Sequence, residues 1–324
     1  MTDIAMIEAA AARGAGVVRE TPLLSSPFLD EIAGRPVFAK AEVLQHTGSF
    51  KFRGGWSAVS ALEDATRAKG VIAYSSGNHA QGVAHAAALH GVPAIIIMPR
   101  DAPALKIENT RALGAEVVLY NRAGGERREA IGDRLVAERG MTLIKPFDDA
   151  QVIAGQGTCG LEIAAQAAAL GVTRGTVLTC CGGGGLSAGI ALALEARAPG
   201  LVVRPVEPEG FDDTARSLAA GQRLGHGSPE AGFCDAILTP MPGEMTFPVL
   251  KRLCGPGIVV TEAEVREAMR LAALRLKLVV EPGGAVALAA ALFHGRALDE
   301  GPVICTLSGG NADPALYAAI LAGG

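Results

Sequence analysis

Aromatic residues are scarce in this chain: Phe, Tyr and Trp make up 4% of its 324 residues while hydrophobic residues make up 49%. The core must therefore be built mainly from Ala, Val, Leu and Ile, a material that suits helices packed on a sheet. The six cysteines contain no Cys-x-x-Cys pair and lie mostly in apolar or Gly-rich stretches, so they read as reduced packing residues of a cytoplasmic protein. There is no basic stripe: 29 Lys and Arg are dispersed among 33 Asp and Glu, for a net charge of -4, which argues against nucleic acid as a partner. No apolar run approaches the ~20 residues of a membrane span. The start, MTDIAMIEAAAARGAG, is an amphipathic helix pattern carrying acids, with no basic or apolar region of an export signal. These absences leave a small molecule as the expected partner.

What is present is a series of short β-rich runs: GVIAY (70–74), PAIIIMP (93–99), AEVVLY (115–120), TLI (142–144), TVLTCC (176–181), LVVRPVEP (201–208), GIVV (257–260) and PVICTLS (302–308). Ala-rich helical segments separate them, which predicts βαβ units on parallel sheets with helices on both faces. Three such units fall between about Ala65 and Gly140 and a second series begins near Gln151, with KPFDDAQ as the crossing. The start, Met1 to Leu62, reads as strand-free. The expected organisation is a large domain of residues 1–62 and 145–324 carrying a small mobile domain of residues 63–144.

Ligands of such sheets sit beyond the carboxyl ends of the strands, which makes the loops there the place to look for chemistry. SSGNHAQG (75–82) crowds Ser75, Ser76, Asn78 and His79 at a helix start, where exposed N–H groups bind anions. One such residue would be an ordinary cap, but four exceed what capping needs and suit a carboxylate. GGGGL (182–186) opens a helix after a strand, and glycines there let main-chain N–H groups wrap a phosphate. It matches neither the P-loop nor the spaced dinucleotide pattern, and a plain flexible turn is the alternative. LSGGN (307–311) puts Ser308 at the tip of an apolar strand, and EPGGA (281–285) puts Glu281 at a helix start; each by itself could be a cap. Lys51, between Phe50 and Phe52 at the mouth of another helix, is set for partial desolvation, which lowers an amine's pKa and frees it as nucleophile and base. A lysine and a phosphate cradle together suggest pyridoxal phosphate.

On TGSFKFRG (47–54), SSGNHAQG, PFDDAQVIAGQGT (146–158), GGGGL, EPGGA and LSGGN, the chain resembles the fold-type II pyridoxal-phosphate enzymes of the serine/threonine dehydratase and serine racemase family, over nearly its whole length. The resemblance implies a two-domain α/β fold of the tryptophan synthase β type and a homodimer. It implies that Lys51 holds the cofactor and removes the substrate α-proton. Phe50 would lie against the ring, Gly182, Gly183, Gly184 and Gly185 with Leu186 would surround the phosphate, and Asn78 would bond the ring hydroxyl. Ser308 would meet the pyridine nitrogen, with Glu281 also at the cofactor. Ser75, Ser76, Asn78 and His79 would grip the substrate carboxylate. A hydroxyl rather than an aspartate at the ring nitrogen leaves a weaker electron sink, which favours prompt loss of a β-hydroxyl; the cofactor phosphate would protonate it. The implied activity is elimination of water from an L-serine or L-threonine type substrate, giving a 2-oxo acid and ammonia.

Further implications are more local. PVEPEGFDD (205–213) is similar to a family segment where Mg²⁺ or Ca²⁺ binds, with Glu207, the Phe211 carbonyl and Asp213 as ligands; an acidic turn in water is the alternative. Ser76 matches the serine racemase base on the face opposite the lysine, so racemisation is a second activity, unless Ser76 only orders its loop. Arg127 and Arg128 read as a solvated helix start. Were one to point inwards, an acidic substrate such as 3-hydroxyaspartate would follow; a hydroxyectoine-pathway dehydratase is a further relative. The chain stops soon after LSGGN, so control by isoleucine is not expected. A scaffold without turnover, and a nucleotide-binding α/β protein lacking its ribose-binding acid, are the readings from other classes.

Overall fold

A computed structural model describes residues 2–75, 77–102, 104–121, 124–227 and 232–323. Among the described residues ten strands form two sheets. In chain order they are β1 Leu23–Ser25, β2 Val37–Lys40, β3 Val71–Tyr74, β4 Ala94–Pro99, β5 Glu116–Tyr120, β6 Thr142–Leu143, β7 Gly175–Cys180, β8 Leu201–Pro208, β9 Ile258–Val260 and β10 Val303–Thr306. The larger sheet runs β1-β2-β10-β7-β8-β9 and the smaller β5-β4-β3-β6; every pairing is parallel except β1 with β2. Ile95, Ile96 and Ile97 on β4 and Val303, Ile304 and Cys305 on β10 are buried on successive positions. Both faces of these strands are covered, which is why they read as unbroken apolar runs rather than alternating ones.

All eight β-rich runs named from sequence contain a strand of these sheets, but the reading of Met1 to Leu62 as strand-free is corrected by β1 and β2. Both are short, and β2 ends in Lys40, a residue that marks a surface strand when seen alone. In the fold Lys40 is fully buried and donates to Glu162 and to the Thr21 carbonyl, each at 2.6 Å, so a partner 122 residues away turns VFAK into a core strand.

Helices cover the sheets. Pro282–Phe293 is apolar on all sides and buried from Pro282 to Leu292, as expected of a helix inside a core. Asp149 caps the 20-residue helix Ala150–Ala169 by accepting the Gln151 and Val152 N–H groups. Helices Lys51–Ser60 and Asn78–Leu89 meet backbone to backbone: a Cβ on Gly55 would stand 2.9 Å from the Gly82 carbonyl. That approach brings Lys51 next to the start of the second helix. Among the described residues no helix is long and apolar enough to cross a membrane, and all six cysteines are free thiols.

Candidate active site

The loops that leave β3, β7 and β10 open on one cavity of about 750 Å³. Lys51 is the first residue of its helix, and its loop is tied to the one after β10 by a bridge between Ser49 and Gly309 and by the Phe50 N–H donating to the Ser308 carbonyl at 3.1 Å. The Lys51 ammonium donates to the Pro146 carbonyl at 2.9 Å and lies 5.1 Å from the centre of the Phe50 ring. Burial brings its pKa down to about 8, against the pull of Glu281 in the other direction. The amine can thus be neutral near physiological pH, as a nucleophile or base must be.

The tetraglycine run is the turn from β7 into the helix Gly185–Arg197. Gly184 has φ +89°, a backbone state that favours glycine, and a Cβ on Gly185 would stand 3.1 Å from Phe147 Cα. The Thr246 hydroxyl donates to the Gly183 carbonyl at 2.7 Å and fixes the turn. Main-chain N–H groups at a helix start beside a cavity suit an anion, and Gly182, Gly183, Gly184, Gly185 and Leu186 all line it.

On the facing loop, Ser75, Asn78 and His79 line the same cavity; Ser76 lies outside the described residues. The Ser75 hydroxyl accepts the Gly77 N–H at 3.1 Å. Asn78 donates to Glu281 at 2.5 Å and accepts from Asn311 at 2.7 Å, so its amide is oriented from both ends. Burial raises the Glu281 pKa to about 7 despite the Asn78 bond. His79 is a neutral imidazole, its pKa taken down to about 3 by burial and then by the Lys51 charge, with Nε2 at 3.0 Å from the Ile144 carbonyl. Ser308, 4% exposed, lines the cavity next to Cys180, whose thiol donates to the Gly284 carbonyl at 3.3 Å.

Glu207 and Asp213 stand apart from the cavity, below Cys181, the residue that precedes the glycines. Glu207 accepts the Thr214 and Ala215 N–H groups at 2.9 and 2.8 Å. Asp213 Oδ2 is buried with no hydrogen-bond partner. Burial, then the neighbouring Asp213, raises Glu207 to about 8; burial raises Asp213 to about 7. Phe211 stacks edge-on against His226. Among the described residues no three His, Cys, Asp or Glu side chains gather into a metal-binding group, so any cation here would rely on main-chain carbonyls and water besides these two carboxylates.

Several lining residues had no signal strong enough to single them out. Phe147 and Gln156 fall in a quoted motif but carry no obvious reactivity; Tyr74 ends the run GVIAY, and Lys106 and Asp235 fall in no quoted stretch. Both amide atoms of Gln156 are buried with no hydrogen-bond partner. Arg127 is exposed, as a solvated helix start should be, whereas Arg128 pairs with Glu129 at 2.9 Å yet also lines the cavity, 6.0 Å from the Tyr74 ring.

Comparison with known proteins gives the same family from three directions. The chain is 41% identical over 306 residues to an L-threo-3-hydroxyaspartate ammonia-lyase of Saccharomyces cerevisiae, covering 94% of this chain and 92% of that one. Among solved structures it is similar to a threonine deaminase of T.th. (47% identity, TM-score 0.89, 96% of this chain and 99% of that one). It is also similar to maize serine racemase (37% identity, TM-score 0.91, 99% and 98%). Residues 15–309 match the family described as pyridoxal-phosphate dependent enzyme, and with a half-buried lysine sharing a cavity with a glycine cradle the chain belongs to that family, in its fold-type II branch.

Proposed function

We propose that this protein is an ammonia-lyase that removes water from a β-hydroxy amino acid of the L-serine or L-threonine type, giving a 2-oxo acid and ammonia. The observation that carries the reading is the placement of Lys51, its amine brought to a pKa of about 8, in one cavity with Gly182–Gly185, Asn78 and Ser308. These residues fit pyridoxal phosphate: the glycines leave main-chain N–H groups open to a phosphate, and Ser308 offers a hydroxyl rather than a charge to a ring nitrogen. Bound there, the cofactor supplies the electron sink for the pair left when the α-proton departs.

The chain's own residues do the rest. Lys51 would anchor the cofactor through Nζ and, when Nζ is free, take the α-proton. Phe50 would pack on the ring, with Leu186 at the phosphate. Asn78, already aligned by Glu281 and Asn311, would bond the ring hydroxyl. Ser75, Ser76 and His79 would bind the substrate carboxylate with the N–H groups of the helix Asn78–Leu89; His79, neutral with its Nε2–H given to the Ile144 carbonyl, would contribute its main-chain N–H. Glu207, the Phe211 carbonyl and Asp213 would hold Mg²⁺ or Ca²⁺, a reading supported by the partnerless Asp213 Oδ2 beside a second buried carboxylate. The unit of residues 63–144 would close on the remainder, and the active form would be a homodimer.

A second reading concerns the side chain of the substrate. Arg128 lines the cavity, which supports an acidic β-hydroxy amino acid such as 3-hydroxyaspartate. Ammonia and 2-oxo acid release by the holoenzyme across L-serine, L-threonine, D-serine and the 3-hydroxyaspartate isomers tests both readings. Lys51→Ala should abolish the visible absorbance of lysine-bound cofactor and lower turnover by roughly 10²–10⁴-fold or more. A Lys51→Ala protein with unchanged spectrum and rate would end the proposal.

A further inference from the structure

Lys106 Nζ and Asp235 Oδ2 stand 3.0 Å apart and both line the cavity. They come from different sides of it. Lys106 is on the helix Ala104–Ala112, whose Ile107 is buried in the core around β3 and β4; Asp235 begins the short turn Asp235–Ile237, whose Ile237 is buried in the core of the larger sheet. The pair therefore ties one wall of the cavity to the other. Lys106 is the more covered partner, its side chain 27% exposed against 57% for Asp235. Glu281 lines the same cavity, and its titration feels Asp235 and Lys106 in opposite directions.

A salt bridge this exposed is screened by water and holds weakly, and its two ends differ in what release would cost. Asp235 can return to solvent with little penalty, whereas Lys106 keeps its need for an anion. A second carboxylate on a bound amino acid would enter on the cavity side, where Lys106 is accessible. We propose that Lys106 and Asp235 determine side-chain selectivity: Asp235 is a resident carboxylate that holds Lys106 until a substrate brings a distal carboxylate of its own, whereupon Lys106 changes partner. This rests on the amino-acid lyase reading of the site. Monocarboxylic substrates leave the pair intact, and a diacid replaces one ion pair by another while Asp235, 57% exposed, returns to solvent. Lys106 is thus a selectivity residue and Asp235 acts through it.

The test is binding of succinate against butyrate, four-carbon anions with two carboxylates and one, to the holoenzyme, read by the visible absorbance of the cofactor or by calorimetry at fixed ionic strength. In Lys106→Met the preference for succinate over butyrate should fall on the order of tenfold, the scale of a charge-assisted bond. In Asp235→Asn it should rise by up to about fivefold, the scale of an exposed pair released. In the double variant Asp235→Asn should add nothing, because its effect passes through Lys106. Parallel shifts for succinate and butyrate would overturn the proposal, as would an Asp235→Asn gain that persists without Lys106, since Asp235 would then act only through its field. If Lys106→Met loses the cofactor spectrum, Lys106→Gln carries the same test. Absence of turnover on every hydroxy amino acid with the succinate preference shifting as described would sink the activity and leave the selectivity device standing.

Discussion

Glu42 and Glu207 are equally hidden from water, 0% and 1% exposed, yet the protein treats them in opposite ways. Glu42 receives the Arg53 guanidinium through both oxygens, at 2.7 and 2.8 Å, and the Thr21 hydroxyl at 2.5 Å; Glu162 takes Arg53 and Lys40, each at 2.6 Å. Burial alone would raise the Glu42 pKa, but the Arg53 charge and bonds, helped by Lys40 and Thr21, hold it below the usual carboxylate value. Glu207 has two main-chain N–H groups and a second acid, Asp213, and both acids are raised. One cluster is closed by the protein's own cations, while the other sets two buried carboxylates side by side and leaves one of their oxygens without a partner.

The comparison breaks most visibly at Arg53. Arg53→Met leaves Glu42 buried and uncompensated and should cost about 3–5 kcal/mol of stability, read as a lowered denaturant midpoint that no divalent cation restores. A loss under about 1 kcal/mol would mean water reaches Glu42, and the cluster is not closed.

The second cluster should respond to what the first ignores. Saturating Mg²⁺ or Ca²⁺ should stabilise chelator-treated protein, by about 2.7 kcal/mol at a hundredfold excess over Kd, and Glu207→Gln should abolish the response. An equal cation effect in Glu207→Gln would place the ion elsewhere.

The third effect is a divergence with pH. Glu207 and Asp213 have folded pKa values of about 8 and 7, above their ordinary 4.5 and 3.8. The metal-free folded state therefore holds protons that the unfolded chain has lost, and its stability falls as pH rises between those limits. Glu42, with a folded pKa below 4.5, contributes stability above that value and loses it as pH falls. Thermal midpoints of metal-free protein should drop from pH 5 to pH 8, and saturating cation should flatten the slope. A slope indifferent to cation would detach these acids from any metal.

The same contrast bears on what could be read without coordinates. Lys51, the four glycines and Ser308 were legible because each pattern is local: a helix start, a strand-to-helix turn, a strand tip. β2 was not, because nothing within VFAK tells that Lys40 will meet Glu162. Lys106 and Asp235 were not, because their pairing spans 129 residues and each is ordinary in its own segment. Arg128 illustrates both sides: the sequence suggests a charged helix start, and only the fold sets that start at the cavity rim.

By itself, then, the sequence determined the α/β class through runs that match the repeat of buried parallel strands, and the cofactor chemistry through residue types confined to short loops. The tertiary structure alone decided which charges neutralise each other, which carboxylates remain without a cation, and which side chains from distant segments face one another across the site. Those are properties of distance and desolvation, and both arise only when strands and helices far apart in the chain are packed together.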